Sequence, residues 1–588
     1  MDFFFAFFAY LPSLVAAITE VLWYIYRILI LRVPVSYPGN PLKEKLKRRG
    51  KWLSRESNLS SGWIFHEDAD SCKKSLEECS GKAELIGESA GRQIWYKDSQ
   101  VQKSKDDTSF NPAKNPNSSD KILRNQMLKK WKGSKPLNSP SKTMKESAKK
   151  GFEFYQMLQC DDGHWAGDYG GPMFLMPGLI IVLYITKSSL SLSNSRKDAM
   201  ITYLQNHQQI DGGWATHIEG ASTMFGTVLS YVSLRLLGES PTVGYMREAR
   251  SFIMLYGGVL YAPSWAKFWL AVLGVYDWKG INSVPAEMWM LPRWFPFHPG
   301  RMWCHSRMVY LPMCYLYGKR YSADISKDPL LQQLRIELYT QGTNYDHINW
   351  DKYRQTCADI DVYSALNPVM KVAQDLLSYY EYILPYLPPL SYIREVGLQF
   401  AIQYIKTEDI QTNYIDIGPV NKSLNMLSVW VASGQDSLSS SFLNHLIRVD
   451  DYLWVAEDGM KMQGYCGSQC WDTCFAIQAL VEAELCTEFP TVVNKVYNFL
   501  ARTQIQDDER ERERWFRQVS KGGWPFSTAA HGWPISDCTA EGLKSVLYLH
   551  SLSLSLSDTT PMIPLSSRIS SLSLSHAVDV ILSLHNTD

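Results

Sequence analysis

From about residue 144 onward, apolar stretches of helical length alternate with glycine-containing breaks. The stretches cover 173–186, 199–209, 225–237, 268–276 and 473–484, and Gly212-Gly213, Gly238 and Gly257-Gly258 stand where helices stop. Apolar and polar positions rarely alternate with the period of two that marks a half-buried strand. The pattern predicts an all-α chain built of helical hairpins.

A short motif recurs across the breaks. Gln159…Gly163…Trp165, Gln208…Gly212…Trp214 and Gln518…Gly522…Trp524 share the spacing Gln-x3-Gly-x-Trp. Glycine permits a tight turn, glutamine reaches orphan backbone groups at a helix end, and tryptophan packs over the amide. Repetition of such a unit predicts helix pairs that close into an α/α barrel.

Both ends depart from this texture. Residues 3–19 form an uncharged, Phe-rich apolar run, 21–26 extend it past Glu20, and Lys43, Lys45, Lys47, Arg48 and Arg49 follow. Only Met1 and Asp2 precede it, unlike the basic lead of a secretory signal. A membrane-anchoring helix is expected over residues 1–33. It either spans with its basic side in the cytoplasm or, because Pro12, Glu20 and Arg27 interrupt it, lies in the interface. Residues 97–120, within an N-terminal region of 34–143, are polar with turn signals at Asn111-Pro112 and Asn115-Pro116, and read as a flexible surface insertion. Residues 551–557 read Ser-Leu-Ser-Leu-Ser-Leu-Ser, and 571–575 repeat the theme. Two amphipathic strands fit that alternation. Translation of a non-coding pyrimidine repeat is the simpler account, so 549–588 is expected to be an aberrant low-complexity tail.

Composition narrows the function. The 588 residues carry 59 basic and 59 acidic side chains, a balance that argues against an electrostatic grip on nucleic acid, which needs a basic face to displace counterions. The 45% hydrophobic content excludes global disorder, and 20 Trp with 33 Tyr point to a large apolar cavity or a lipid or sugar surface. Eleven cysteines without a Cys-x-x-Cys pair indicate a reducing compartment. Cys466, Cys470 and Cys474 share one helical stripe and read as core, since no histidine or carboxylate of suitable spacing completes a metal site. The mixed charges of 507–514 read as a solvated face.

The densest chemistry lies at Gly522-Gly523-Trp524-Pro525-Phe526-Ser527-Thr528 and His531-Gly532-Trp533-Pro534-Ile535-Ser536-Asp537-Cys538-Thr539-Ala540-Glu541. A carboxyl desolvated among such rings has a raised pKa and is ready to act as an acid. Equally, Asp537 caps a helix starting at Cys538, with Glu541 in its first turn.

These residues, with 161–172 (Asp-Asp-Gly-His-Trp-Ala-Gly-Asp-Tyr-Gly-Gly-Pro), 302–310 (Met-Trp-Cys-His-Ser-Arg-Met-Val-Tyr), Gly91-Arg92-Gln93-Ile94-Trp95 and Asp458 to Tyr465, resemble the oxidosqualene cyclases. The resemblance runs nearly continuously from Gly91 to Tyr548, weakest over 97–143. It implies two α/α barrels, one over 144–420 and an incomplete second over 421–548, with a cavity between them. It further implies attachment to one membrane leaflet, on the cytoplasmic face of the endoplasmic reticulum or a lipid droplet. The implied reaction folds 2,3-oxidosqualene, protonates its epoxide, and runs ring closures and methyl and hydride shifts to a final proton loss, with no cofactor, metal or protein partner.

Carried over by position, Asp537 is the acid and Cys538 is hydrogen-bonded to it. Trp303, Trp471 and Phe526 line the cavity, and Trp265 is a further lining candidate. Tyr169 shapes substrate folding, His305 stands where the last proton leaves, and Tyr310 gates the channel. Taken alone, each Trp reads as core and His305 as a satisfied core histidine. His305, Tyr465 and Ile535 together resemble the cycloartenol-forming members, whereas lanosterol-forming ones tend to have Thr and Val at the last two positions. One methylene discriminates by only ~1–3 kcal/mol.

Ser306 stands where a second Cys is usual. The similarity ends after Tyr548, where family members continue, so the acid is expected to face solvent and cyclisation to be impaired or lost. The non-enzymatic reading is a catalytically dead, membrane-associated fragment. Squalene–hopene cyclases differ by an Asp where Cys538 stands, and prenyltransferase β subunits need a zinc site that these residues do not assemble.

Overall fold

The computed structural model describes residues 57–58, 62–66, 90–97, 109–135, 139–188, 193–364, 367–555, 563 and 568–585. The anchor expected over 1–33 lies outside them. Among the described residues the chain is mostly helical, and no helix is long and apolar enough to cross a membrane. The helices are α1 (Lys121–Lys130), α2 (Met144–Tyr155), α3 (Leu175–Ile185), α4 (Asn194–Asn206), α5 (Met224–Leu237), α6 (Gly244–Leu255), α7 (Ser264–Val272), α8 (Cys304–Lys319), α9 (Pro329–Glu337), α10 (Pro368–Ile383), α11 (Pro388–Gln411), α12 (Pro419–Ala432), α13 (Ser440–Ile447), α14 (Gln469–Glu482), α15 (Pro490–Thr503), α16 (Ser536–Ser555) and α17 (Ser571–Ser583). Strands occur as two-stranded antiparallel ribbons, of which Leu453–Ala456 with Gly459–Met462 matters most for the site.

Burial sorts the helices into inner and outer sets. In α3 every residue from Leu175 to Leu183 is buried, and in α5 nearly all are, so neither helix has a solvent face. α3 packs on α5, α5 on α7, α8 on α11 and α12, and α12 returns to α3. By contrast α2 and α10 contain no fully buried residue and lie outside. A second apolar cluster, centred on Phe499, Trp524, Cys538 and Val546, joins α14, α15, α16 and α17.

The recurrent motif is a clamp with one geometry. Gln159 Nε2 donates to Gly163 O (2.9 Å) and to Val492 O (3.4 Å) in the first turn of α15, while Trp165 Nε1 donates to Tyr155 O (3.0 Å). Gln208 Nε2 donates to Gly212 O (2.9 Å) and to Tyr245 O (2.8 Å) of α6, while Trp214 Nε1 donates to Leu204 O (2.7 Å). The glycines have φ of +113° and +83°, and a Cβ there would lie 2.1 Å from Lys495 O and 2.8 Å from Glu248 O. Only glycine allows both the turn and the approach of the next helix.

The third clamp corrects the sequence expectation. Its glutamine is Gln504, not Gln518. Gln504 Nε2 donates to Gly522 O (2.9 Å) and to Ser573 O (3.1 Å), and Trp524 Nε1 donates to Leu500 O (2.9 Å). The loop from 505 to 521 is inserted inside the motif and folds back through paired Ile505 and Gly522–Gly523 backbone bonds, which leaves Gln518 exposed.

Two further expectations change. The stretch 97–120 is not wholly a loose insertion. Asn111 and Asn115 do make the expected turns, but Ser119 and Lys121 N–H groups donate to Glu457 (2.8 and 3.1 Å), and Asp120 accepts from Trp454 Nε1 (2.9 Å). Among the described residues neither Ser-Leu run forms a strand: 551–555 continues α16, and Ser571–Ser583 is α17, capped by the Ser570 hydroxyl on Ser573 N–H.

Candidate active site

Tyr169, Trp303, His305, Tyr465, Trp471 and Phe526 come together as one wall of rings. Centroids lie 4.7 Å apart for Trp303–His305, 5.7 Å for His305–Tyr465, 4.8 Å for Tyr465–Phe526 and 5.8 Å for Trp471–Phe526, the last pair stacked at 23°. Tyr169 closes the row, 5.0 Å from Phe526 and 6.3 Å from Tyr465. The wall is open on one side: Trp303 is 70% and Tyr169 41% exposed.

Each ring has an identifiable support. Trp303 and His305 bracket the start of α8, and Trp471 lies in the first turn of α14, its N–H donating to Phe526 O (3.2 Å). Tyr169 N–H donates to Gln463 Oε1 (3.0 Å), and its carbonyl accepts from Gly464 N–H (2.8 Å). A Cβ at Gly464 would lie 3.0 Å from the Tyr169 ring, so this glycine sets how closely the ring seats. Beside it, buried Lys461 pairs with Asp168 and, at 2.8 Å, with Asp458. Burial alone would depress the Lys461 ammonium, but the two carboxylates outweigh it and hold it well above its ordinary value.

His305 Nε2 and the Tyr465 hydroxyl share a hydrogen bond of 2.9 Å. Burial pushes the His305 imidazole down and the Tyr465 phenol up, so at neutral pH the pair is uncharged. Behind Tyr465 stands His531, 5.6 Å away and edge-on, a residue that the sequence pattern alone does not single out. His531 Nε2 lies 3.0 Å from Ile417 O, and since a carbonyl only accepts, Nε2 carries the proton. Burial pushes His531 down to about 4, so it stays neutral. Ile417 sits in a strained turn where Asn413, Tyr414 and Asp416 all have φ between +49° and +68°. The Tyr452 hydroxyl (2.9 Å to Ile415 O) and the Arg448 guanidinium (3.1 Å to Asn413 O) hold that turn.

The remaining predicted residues lie off this wall. Tyr310 donates its hydroxyl to Pro285 O (2.6 Å) and packs on Trp289. Trp265, 39% exposed, lines a small open pocket with Phe174, Phe225 and Trp269. Ile535 is half-buried and its N–H donates to Trp524 O (3.1 Å).

At Asp537 the expectation of an acid hydrogen-bonded to its neighbouring thiol is corrected. The carboxyl is exposed in the first turn of α16 and accepts from Ser536 Oγ (3.0 Å). Cys538 points instead into the core, fully buried, where desolvation and then the Cys474 thiol push its pKa up. A helix start projects successive side chains about 100° apart, so adjacent residues face different environments.

One constellation among the described residues has metal-ligand chemistry. Asp409, Asp416 and His445 are fully buried, with one ligand atom of each within 4.8 Å of the others. An ammonium already stands there: Lys422 Nζ is 2.9 Å from His445 Nδ1 and 3.9 Å from Asp416 Oδ2. A metal ion would have to displace it, so the donor set does not fit one while Lys422 is present.

Comparison with known proteins bears on this arrangement. Residues 149–455 match the squalene-hopene cyclase N-terminal domain. The chain is 44% identical over 449 residues to the cycloartenol synthase of Dictyostelium discoideum, covering 76% of this chain and 60% of that protein. It is 44% identical over 456 residues to the lanosterol synthase of Pneumocystis carinii, covering 77% and 60%. It is 43% identical over 413 residues to the alpha-onocerin synthase of Lycopodium clavatum, covering 68% and 52%. The chain thus spans about 60% or less of the length of these relatives.

Proposed function

Because the chain belongs to the oxidosqualene cyclase family, we propose that it cyclises 2,3-oxidosqualene by epoxide protonation and a carbocation cascade. The observation that carries this reading is the continuous row Trp303–His305–Tyr465–Phe526–Trp471 with Tyr169 beside Phe526. A ring face over a desolvated cation contributes on the order of 2 kcal/mol. A row of faces therefore follows a charge that migrates, and it offers no covalent trap. The uncharged His305–Tyr465 pair supplies the polar group where a proton can be taken up at the end. The role of acid falls to Asp537, whose carboxyl is exposed in the first turn of α16 and stands at the position that the family resemblance marks as the proton donor.

In this reading α3, α5, α7, α8 and α12 form the inner ring of a first α/α barrel, and α14 to α16 belong to a second. His305, Tyr465 and Ile535 favour cycloartenol as product, with lanosterol the alternative. The membrane supplies the substrate: exposed Trp294, Phe297, Tyr386, Leu387 and Tyr392 offer apolar surface, and 1–33 an anchor, on the cytoplasmic face of the endoplasmic reticulum or a lipid droplet.

The test is incubation of the detergent-solubilised 588-residue chain with 2,3-oxidosqualene and, separately, squalene, followed by mass-spectrometric product analysis. Cycloartenol from oxidosqualene alone supports the proposal. Hopene-type products from squalene, or no triterpene from either substrate, would reject it.

A further inference from the structure

The third clamp holds a helix made from the Ser-Leu segment. In the first two clamps the glutamine bonds a first-turn carbonyl of the next outer helix, and the glycine abuts the residue three further on: Val492 then Lys495, and Tyr245 then Glu248. The third repeats this spacing with Ser573 and His576. A Cβ at Gly522, whose φ is +91°, would lie 2.5 Å from His576 Cβ and 2.6 Å from its carbonyl carbon. Additional bonds fasten the approach: Ile569 N–H donates to the Tyr497 hydroxyl (2.6 Å), and Arg568 donates to Ser553 Oγ (2.6 Å). Ala577 and Val580 are fully buried and Leu574 partly so, a stripe at helical spacing, while Leu572 and Leu582 face outward at 66% and 65% exposure.

From this turn a short mechanical path leads to the acid. Trp524 N–H donates to Thr539 Oγ1 (3.0 Å), two residues beyond Asp537, and the Trp524 ring lies against Gly542, where a Cβ would be 2.7 Å away. We propose that α17 is a working outer helix of the cyclase body, docked in the Gln504–Gly522–Trp524 clamp, and that its docking positions the first turn of α16 with Asp537 and Cys538. Gln504 and Ala577 are then positioning residues. The docking itself is independent of the catalytic reading, and only the role given to Asp537 rests on it.

The test reads Cys538, whose thiol is fully buried. Maleimide labelling of the folded full-length chain, located by peptide mass spectrometry, should leave Cys538 unmodified over hours. Gln504→Ala and Ala577→Arg should each raise its labelling rate at least tenfold, while Gln518→Ala and Leu582→Ser leave it unchanged. A synthetic peptide of residues 568–585 added in excess to the Ala577→Arg chain should restore protection, which a generally misfolded chain would not regain. Unchanged labelling in Gln504→Ala, equal effects of Gln504→Ala and Gln518→Ala, or no rescue by the peptide would each overturn the proposal. These readouts need no turnover, so they stand apart from the product analysis.

Discussion

Lys461→Met should be the most informative single substitution near the wall. The ammonium, 2% exposed, sits between Asp168 and Asp458, and the titratable groups facing it are Asp120, Asp168, Tyr203, His207 and Asp458. Methionine preserves most of the volume but leaves the Asp458 carboxylate with His207, 3.2 Å away, as its one remaining side-chain partner among the described residues. Removing one member of a buried pair costs about 3–5 kcal/mol, which is roughly 2–5 °C in Tm for a body of this size.

The pH dependence separates charge from packing. In the native chain burial raises the Asp458 pKa, but Lys461 and His207 outweigh it and hold it below the ordinary value. Asp458 therefore adds stability above its unfolded pKa of about 4 and loses it in acid. Without Lys461, burial prevails and the pKa rises above the unfolded value, so the variant gains stability as pH falls toward it. Urea unfolding at pH 7.5 and 5.5 should show the gap between the two chains narrowing at the lower pH. Asp458→Asn should recover stability in the variant while costing it in the parent. A gap that is equal at both pH values, with no such coupling, would refute the charge argument and leave lost packing as the cause.

Three other outcomes are expected. Gly212→Ala combines a φ of +83° with a Cβ 2.8 Å from the Glu248 backbone, and should cost about 2–5 kcal/mol; Gly238→Ala, at +110° with nothing within 4 Å, should cost only about 1–2 kcal/mol, both read from urea midpoints. Tyr465→Phe removes the 2.9 Å bond to His305 and should lower turnover by about tenfold, ~1.4 kcal/mol, with a shifted product pattern by mass spectrometry; an unchanged pattern would contradict a role for the pair in proton loss. Lys267 is buried and pushed down to about 8 by desolvation, below its unfolded value of about 10.4, so stability should rise as pH increases through 8 to 10; Lys267→Met should flatten that slope in unfolding titrations.

What could be read from the chain depended on how far apart the interacting groups lie. The inner helices were legible because apolar runs and their glycine stops are adjacent in sequence, and the observed bounds of α3, α5 and α14 fall within a few residues of the expected ones. The supports of the wall were not. Asp168 and Lys461 are 293 positions apart, and His531 meets Ile417 across 114, so neither pairing has a local signature. Asp537 and Cys538 show the opposite failure: adjacency suggested a shared environment, yet a helix start turns one toward solvent and the other into the core.

The strand reading of the Ser-Leu segment and the choice of Gln518 fail for a common reason. A spacing of Gln-x3-Gly-x-Trp is a shadow of three-dimensional geometry that holds only while nothing is inserted between helix end and turn. In the third clamp the loop 505–521 is inserted there, and a chance glutamine at 518 satisfies the spacing while the bonds are made from Gln504. Likewise, Ser and Leu in alternation have period two, but the apolar positions turned inward are Leu574, Ala577 and Val580, and those recur every three residues. Tertiary contact, supplied by Gly522 and Gln504, selects the helix over the strand that the local pattern favours. Breaking that contact by Ala577→Arg should therefore lower helicity within 571–583 specifically, seen as faster amide exchange there. Retained protection would mean that local preference, not the clamp, holds α17.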